Sequence, residues 1–239
     1  MFYNVIYMDP CFSKRTYDVL LDKDNNEKSG ESENKKPKRD YEAGGNDSTS
    51  IETYKNHIYF YCGVSTKTSL KLNIELKRIA QSIIDNGKNL LNKDKYIYLH
   101  INSFGGSVFA AFSTIDTILN LKVPVVSIIE GAAASAATMI SVMCDYRIIY
   151  PNSYMLIHQL SSSSWGKMDD MEDEMCNLKE LMKRIKTIYK KKTKINKDDL
   201  NEILKHDLWW DATKCLSAGL VDEVRESKQV YGFDKKNLE

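Results

Sequence analysis

Between His57 and Gln159 the chain alternates strand-like and helix-like patterns across short connections. His57–Gly63 (HIYFYCG) is strand-like and ends on glycine. Thr66–Asn86 places Leu70, Leu72, Ile74, Leu76, Ile79, Ala80, Ile83 and Ile84 mostly at helical spacing, with Gly87 in the C-cap position. Tyr96–Ile101 is a second strand, Val108–Leu121 a helix, and Val125–Ile129 a third strand after Pro124. Asp145–Tyr150 and Tyr154–Gln159 are further strands around the turn Pro151-Asn152-Ser153. Parallel strands need a crossover element between them, so this order predicts an α/β fold: a largely parallel sheet with helices outside it.

Past Gln159 the period changes. Met171, Met175, Leu178, Met182, Ile185 and Tyr189 recur at three and four residues, which predicts a long helix with an apolar stripe. Asn196 is placed to cap a helix over Lys197–Lys205, with Ile195 and Leu200 in staple positions. The folded domain is expected over residues 53–225. Residues 22–52 are nearly free of apolar side chains until Ile51 and read as a charged, disordered linker. Within it, Lys35-Lys36-Pro37-Lys38-Arg39 is a solvated charge run or, alternatively, an anionic-surface or nuclear-import patch. Residues 1–21 form a separate N-terminal segment with a short strand over Phe2–Met8, and residues 226–239 a polar tail.

With 42% hydrophobic residues and a net charge of +1, the chain is a globular protein with no electrostatic case for a nucleic-acid partner. No apolar run approaches the roughly eighteen residues of a membrane span, and no secretory signal is expected. Cys11, Cys62, Cys144, Cys176 and Cys215 are scattered without a C-x-x-C pair. That argues against a disulfide framework or zinc site and for a cytoplasmic or other reducing compartment.

The chemistry centres on Val125–Ala137 (VVSIIEGAAASAA). The strand is expected to stop at Glu130-Gly131 and a helix to begin at Ala132. Ser135 is the one nucleophilic side chain in that helix start, where free N–H groups suit an oxyanion. Taken alone, the stretch also suits a small-residue helix packed on a sheet. Gly105-Gly106 follows the second strand, where glycine lets an N–H turn toward a ligand; an ordinary glycine turn is the plainer alternative. His158 ends the strand Tyr154–Gln159. Sites in such sheets form at the carboxyl ends of strands. Of His57, His100, His158 and His206, His158 is the best placed general base, with His100 read as a sheet-face histidine. It can take the Ser135 proton while two backbone N–H groups hold the oxyanion.

Four blocks then carry a family resemblance: Ile101–Val108 (INSFGGSV), Gly131–Ala137 (GAAASAA), Pro151–Gln159 (PNSYMLIHQ) and Asp211–Val224 (DATKCLSAGLVDEV). In this order, from about Tyr59 to Val224, they resemble the signature blocks of the Clp protease proteolytic subunit. The resemblance implies a crotonase-like fold of repeated βαβ units with a protruding helix, here within Gly166–Tyr189, for oligomerisation. It implies a serine-type endopeptidase that hydrolyses unfolded proteins or peptides, in stacked heptameric rings, without metal or cofactor. ATP enters only through a separate AAA+ unfoldase; no nucleic-acid or membrane partner is implied. Residue by residue, it makes Ser135 the nucleophile, His158 the base, Asp207 of HDLWWDA the acid, and Gly106 and Ala136 the oxyanion donors. Asp211 stands as an alternative acid. The turn at Cys144-Asp145-Tyr146 is shorter than in bacterial members and resembles phage prohead proteases. A gap placed before the serine would put Ala133 at the nucleophile position. Phe104 replaces the usual proline, which is expected to loosen the oxyanion loop, and no axial loop for an unfoldase is recognisable in Met1–Ser50. A catalytically silent ring subunit and a crotonase-fold acyl-CoA enzyme are the alternative functions.

Overall fold

A computed structural model of the chain describes residues 7–8, 51–86 and 91–225. These residues belong to one compact unit, Met1–Pro10 with Thr49–Glu239. The charge run at Lys35–Arg39, the Gly87 cap, most of the linker, the tail 226–239 and all of the first strand except Tyr7–Met8 lie outside the described residues.

A seven-stranded sheet forms the frame. Ile51–Tyr54 (β2) turns back antiparallel on His57–Phe60 (β3). From β3 onward the pairing is parallel: Ile97–Ser103 (β4), then Val125–Ala134 (β6), Tyr146–Ile149 (β7) and Glu223–Val224 (β9). Tyr154–Leu156 (β8) pairs in parallel with the far end of β6. Beside the sheet, Tyr7–Met8 (β1) pairs antiparallel with Gly106–Ser107 (β5). Thr66–Asn86 (α1), Val108–Asn120 (α2) and Ala136–Val142 (α3) make the crossovers, followed by Met168–Lys192 (α4), Lys197–Ile203 (α5) and Ala212–Ser217 (α6).

The core sits between one face of the sheet and the helices. Ile58, Phe60, Leu99, Ile101 and Ile129 of the strands bury against Leu72, Leu76 and Ile79 of α1, Ile115 of α2 and Met139 of α3. Each such side chain contributes about 1.5–3 kcal/mol on burial. The apolar residues of α1 divide: Leu70, Ile74 and Ile84 point to solvent. Along α4, Ile185, Ile188 and Tyr189 join the core, while Met168, Met171 and Met175 remain exposed. The opposite sheet face carries a smaller cluster of Val126, Ile128 and Ile148 flanked by Tyr98 and Tyr150.

Several boundaries differ from the sequence expectation: β8 stops at Leu156, so His158 lies past the strand rather than within Tyr154–Gln159, and α5 ends at Ile203. Strand β2 begins at Ile51, inside the stretch read as linker, because Ile51 is buried in the core. More consequential, β6 does not stop at Glu130-Gly131, and Ala132 does not start a helix. The strand bends at Gly131, whose φ is +86°, and continues to Ala134. Ala132–Ala134 pairs with Tyr154–Leu156, and Ala133 also with Ser103. Alanine's helix preference amounts to only about 0.7 kcal/mol per residue over ordinary residues, less than the ladder and burial gained in the sheet. The bend is braced from both sides: the Gly131 N–H donates to Ser153 Oγ at 2.8 Å, and the Ala132 N–H to Asn102 Oδ1 at 3.3 Å.

Candidate active site

Because β6 runs on to Ala134, Ser135 falls in the sharp turn between β6 and α3 rather than inside a helix. Its backbone takes φ 58°, ψ −123°. For a residue with a Cβ this conformation costs about 1–3 kcal/mol and persists only where surrounding bonds over-determine it. The bonds are present. The Ser135 N–H donates to the Leu156 carbonyl at 2.8 Å, and the Ser135 carbonyl accepts the Thr138 N–H at 3.0 Å. Ser135 is fully buried.

The glycine loop lies directly against this turn. A Cβ on Gly105 would stand 2.7 Å from the Ala134 carbonyl oxygen and from Ser135 Cβ, and 3.0 Å from the Ala136 nitrogen. With φ +95° as well, Gly105 is required twice over. On its other side the loop is sewn to Val64: the Val64 N–H donates to the Gly105 carbonyl and the Ser107 N–H to the Val64 carbonyl, both at 2.7 Å. Alternation along an extended backbone then turns the Gly106 N–H away from Val64, to the side where β1 pairs Met8 with Gly106.

His158 lies two residues beyond β8 and is buried. Its Nδ1 is 2.9 Å from Asp207 Oδ1, and Asp207 is largely exposed. The approach is set by backbone pairing: Met155 and Trp210 exchange hydrogen bonds of 2.9 and 2.8 Å, and the Gln159 N–H donates to the Leu204 carbonyl at 2.7 Å. Asp211 is turned elsewhere. It caps α6 by accepting the Lys214 N–H at 2.7 Å. Ala133, the nucleophile position in the other register, lies inside β6 opposite Met155. Thus Gly105 and Ala136 adjoin Ser135, Ser135 is tied to the residue two before His158, and His158 is paired with Asp207.

The remaining histidines are engaged elsewhere. His57 Nδ1 meets His100 Nε2 at 2.8 Å, His100 Nδ1 meets Glu130 Oε1 at 2.7 Å, and the Tyr61 hydroxyl donates to the second Glu130 oxygen. Burial, then the neighbouring His100, pulls the His57 pKa down. Burial alone would raise Glu130, but hydrogen bonds from His100 and Tyr61 outweigh it and hold the carboxyl below its ordinary value. His206 is exposed, 3.6 Å from Glu202. Burial pushes the thiols of Cys144 and Cys215 up to about 12 and of Cys62 to about 11, so these three cannot supply a thiolate nucleophile near neutral pH. Among the described residues no group of three or more His, Cys, Asp or Glu is arranged to hold a metal, and no helix is long and apolar enough to cross a membrane. A concavity of about 540 Å³ lined by Lys55, Asn56, Arg78 and Asp94 includes none of the site residues.

The family model for Clp protease matches residues 66–228, more than half of the chain and the whole stretch from α1 through β9. The chain belongs to the Clp protease family. In this Clp protease family member the residue before the glycine pair is Phe104. Phe104 packs edge-on against Trp209, with ring centroids 6.1 Å apart at 89°, so the loop is joined to the segment that bears Asp207. Sequence reasoning did not find that contact, nor the parts played by Val64, Leu156 and Thr138. Each acts through a backbone bond or a cross-chain packing contact that leaves no motif.

Proposed function

We propose that the chain is a serine-type endopeptidase working through Ser135, His158 and Asp207. The observation that carries this reading is the 2.9 Å His158–Asp207 contact on the segment whose Leu156 also holds the Ser135 turn. Asp207 on Nδ1 keeps the other ring nitrogen, Nε2, as the acceptor and later stabilises the imidazolium. Ser135 Oγ attacks the peptide carbonyl carbon while Nε2 takes its proton. The N–H groups of Gly106 and Ala136 hold the resulting oxyanion. Collapse breaks the C–N bond, and the leaving amine takes the proton from His158. Water, deprotonated by His158, then hydrolyses the acyl ester and restores Ser135.

Substrate geometry follows from the same edge. A peptide that adds extended along β5, bringing its carbonyl to the Gly106 N–H, competes for the edge where β1 pairs. Strand β1 therefore has to give way before a peptide can add. The finer assembly belongs to this proposal too: a crotonase-like arrangement of βαβ units, with the exposed Met168, Met171 and Met175 of α4 serving contacts between copies in rings. The substrates are unfolded proteins or peptides, fed by an AAA+ unfoldase where one docks, in a reducing compartment such as the cytoplasm.

A fluorophosphonate probe with mass-spectrometric mapping tests the assignment. Labelling at Ser135 that disappears in Ser135→Ala and in His158→Ala, together with peptide turnover by the purified protein, is the expected result. Equal labelling of the parent and Ser135→Ala would overturn it.

A further inference from the structure

We infer that Tyr189 of α4 is a positioning residue for the nucleophile, acting through Thr138. The inference rests on the peptidase reading of Ser135. The left-handed backbone of Ser135 is held at its amide by Leu156 and at its carbonyl by Thr138, which donates both its N–H, at 3.0 Å, and its Oγ1 hydroxyl, at 2.6 Å. A hydroxyl has one proton to give. Thr138 gives it to Ser135, so the Tyr189 hydroxyl, 2.5 Å from Thr138 Oγ1, is the donor in that second contact. The result is a directed chain, Tyr189 O–H to Thr138 O–H to Ser135 C=O, in which each bond polarises the next in a dry interior.

Tyr189 is equipped for this. It is fully buried, flanked on α4 by the buried Ile185 and Ile188. Burial raises its phenol pKa, so it stays a donor across the working pH range. Tyr189 and Ser135 are far apart in sequence, and α4 meets the catalytic turn by packing on α3. The same helix touches the segment just beyond His158, where the Leu160 N–H lies 3.3 Å from Met182 Sδ. Seating of α4 thereby fixes the Ser135 carbonyl, hence the direction of the Cα–Cβ bond from which Oγ projects. Small misplacements of a reacting group are enough to lower a chemical step by an order of magnitude or more.

Three variants test it: Tyr189→Phe, Thr138→Val and the conservative Thr138→Ser. For hydrolysis of a fluorogenic peptide, Tyr189→Phe and Thr138→Val are expected to lower kcat roughly tenfold with KM within about twofold, and Thr138→Ser to keep kcat near the parent. The double variant should lose no more than the worse single one, since both cut one chain. Hydrogen exchange at the Thr138 and Met139 amides, which face the Ser135 carbonyl, should quicken roughly tenfold in the two damaging variants. Unchanged kcat and unchanged exchange in a folded Tyr189→Phe overturn the inference, and so does a fall in stability alone. Should Tyr189→Phe not fold, Thr138→Val carries the same readouts. If the parent protein neither turns over peptide nor takes a serine probe, the peptidase reading fails by itself, and the exchange arm still decides whether Tyr189 holds the turn.

Discussion

Replacing Gly105 by alanine puts the convergence of the glycine loop and the serine turn to a direct test. The added methyl meets the Ala134 carbonyl oxygen and the Ser135 Cβ, both at 2.7 Å, and the Ala136 nitrogen at 3.0 Å. None of these is the end of a flexible side chain, so the loop or the turn must move. The φ of +95° adds strain for any L side chain, about 1–3 kcal/mol. Forcing a methyl into a packed site adds about 1–3 kcal/mol more. The sum, about 2–6 kcal/mol, lowers the melting temperature by at least about 4 °C, at roughly 2–4 °C per kcal/mol for a chain of this size. On the proposed roles of Gly106 and Ala136, displacing either N–H is expected to cost about a hundred- to a thousand-fold in kcat. Gly63→Ala is the control: its methyl meets only the Gly105 carbonyl, at an ordinary 3.7 Å. The measurements are thermal melts of all three proteins and peptide hydrolysis well below the lower melting point. A Gly105→Ala protein with the parent's melting temperature and kcat would refute the contact between loop and turn.

The other expectations are briefer. Asp207→Asn should lower kcat by roughly a thousand- to ten-thousand-fold by releasing the imidazole tautomer, while Asp211→Asn, which touches only the α6 cap, should leave kcat within about twofold; comparable losses in both would reassign the acid. Removing residues 1–10 takes away the strand paired at Gly106, and kcat/KM for short peptides should rise; an unchanged value would show that β1 does not compete with substrate. The His57 pKa lies below its unfolded value of 6.5, so its contribution to stability is complete above pH 6.5 and is lost as pH falls through the folded value. In His57→Gln, urea midpoints at pH 7.5 and 5.5 should therefore differ less than in the parent, and an equal difference would argue against the effect. Iodoacetamide at pH 7.5 should modify the exposed Cys176 and spare Cys144 and Cys215, as peptide mapping can establish; early labelling of Cys144 would contradict its burial.

Much of the frame was legible because it depends on local patterns. The apolar period set helix α1 at Thr66–Asn86, and the Asn196 cap appears with its side chain accepting the Asp198 and Asp199 N–H groups. The strand–helix order led to the parallel sheet because a crossover leaves few other arrangements. The alanines after Gly131 misled for the opposite reason. Their local preference is weak, and the partner that outweighs it, Tyr154–Leu156, lies far along the chain. The site divides in the same way. Ser135, His158 and the glycine pair stand out by residue type and position relative to strand ends. The residues themselves left Asp207 and Asp211 both open, and the partner of His158 depends on how Leu204–Trp210 runs beside β8.

By itself the sequence determined which residues can do chemistry, that a helix spans Thr66–Asn86, and that the strands lie largely parallel, since these follow from side-chain type and from periods of two and 3.6 residues. Only the tertiary structure decided that Ser135 sits in a left-handed turn rather than a helix, that Gly105 abuts it, and that Tyr189 reaches its carbonyl through Thr138. Those relations are set by backbone hydrogen bonds and close packing between segments distant in the chain, and such contacts leave no period or spacing to read.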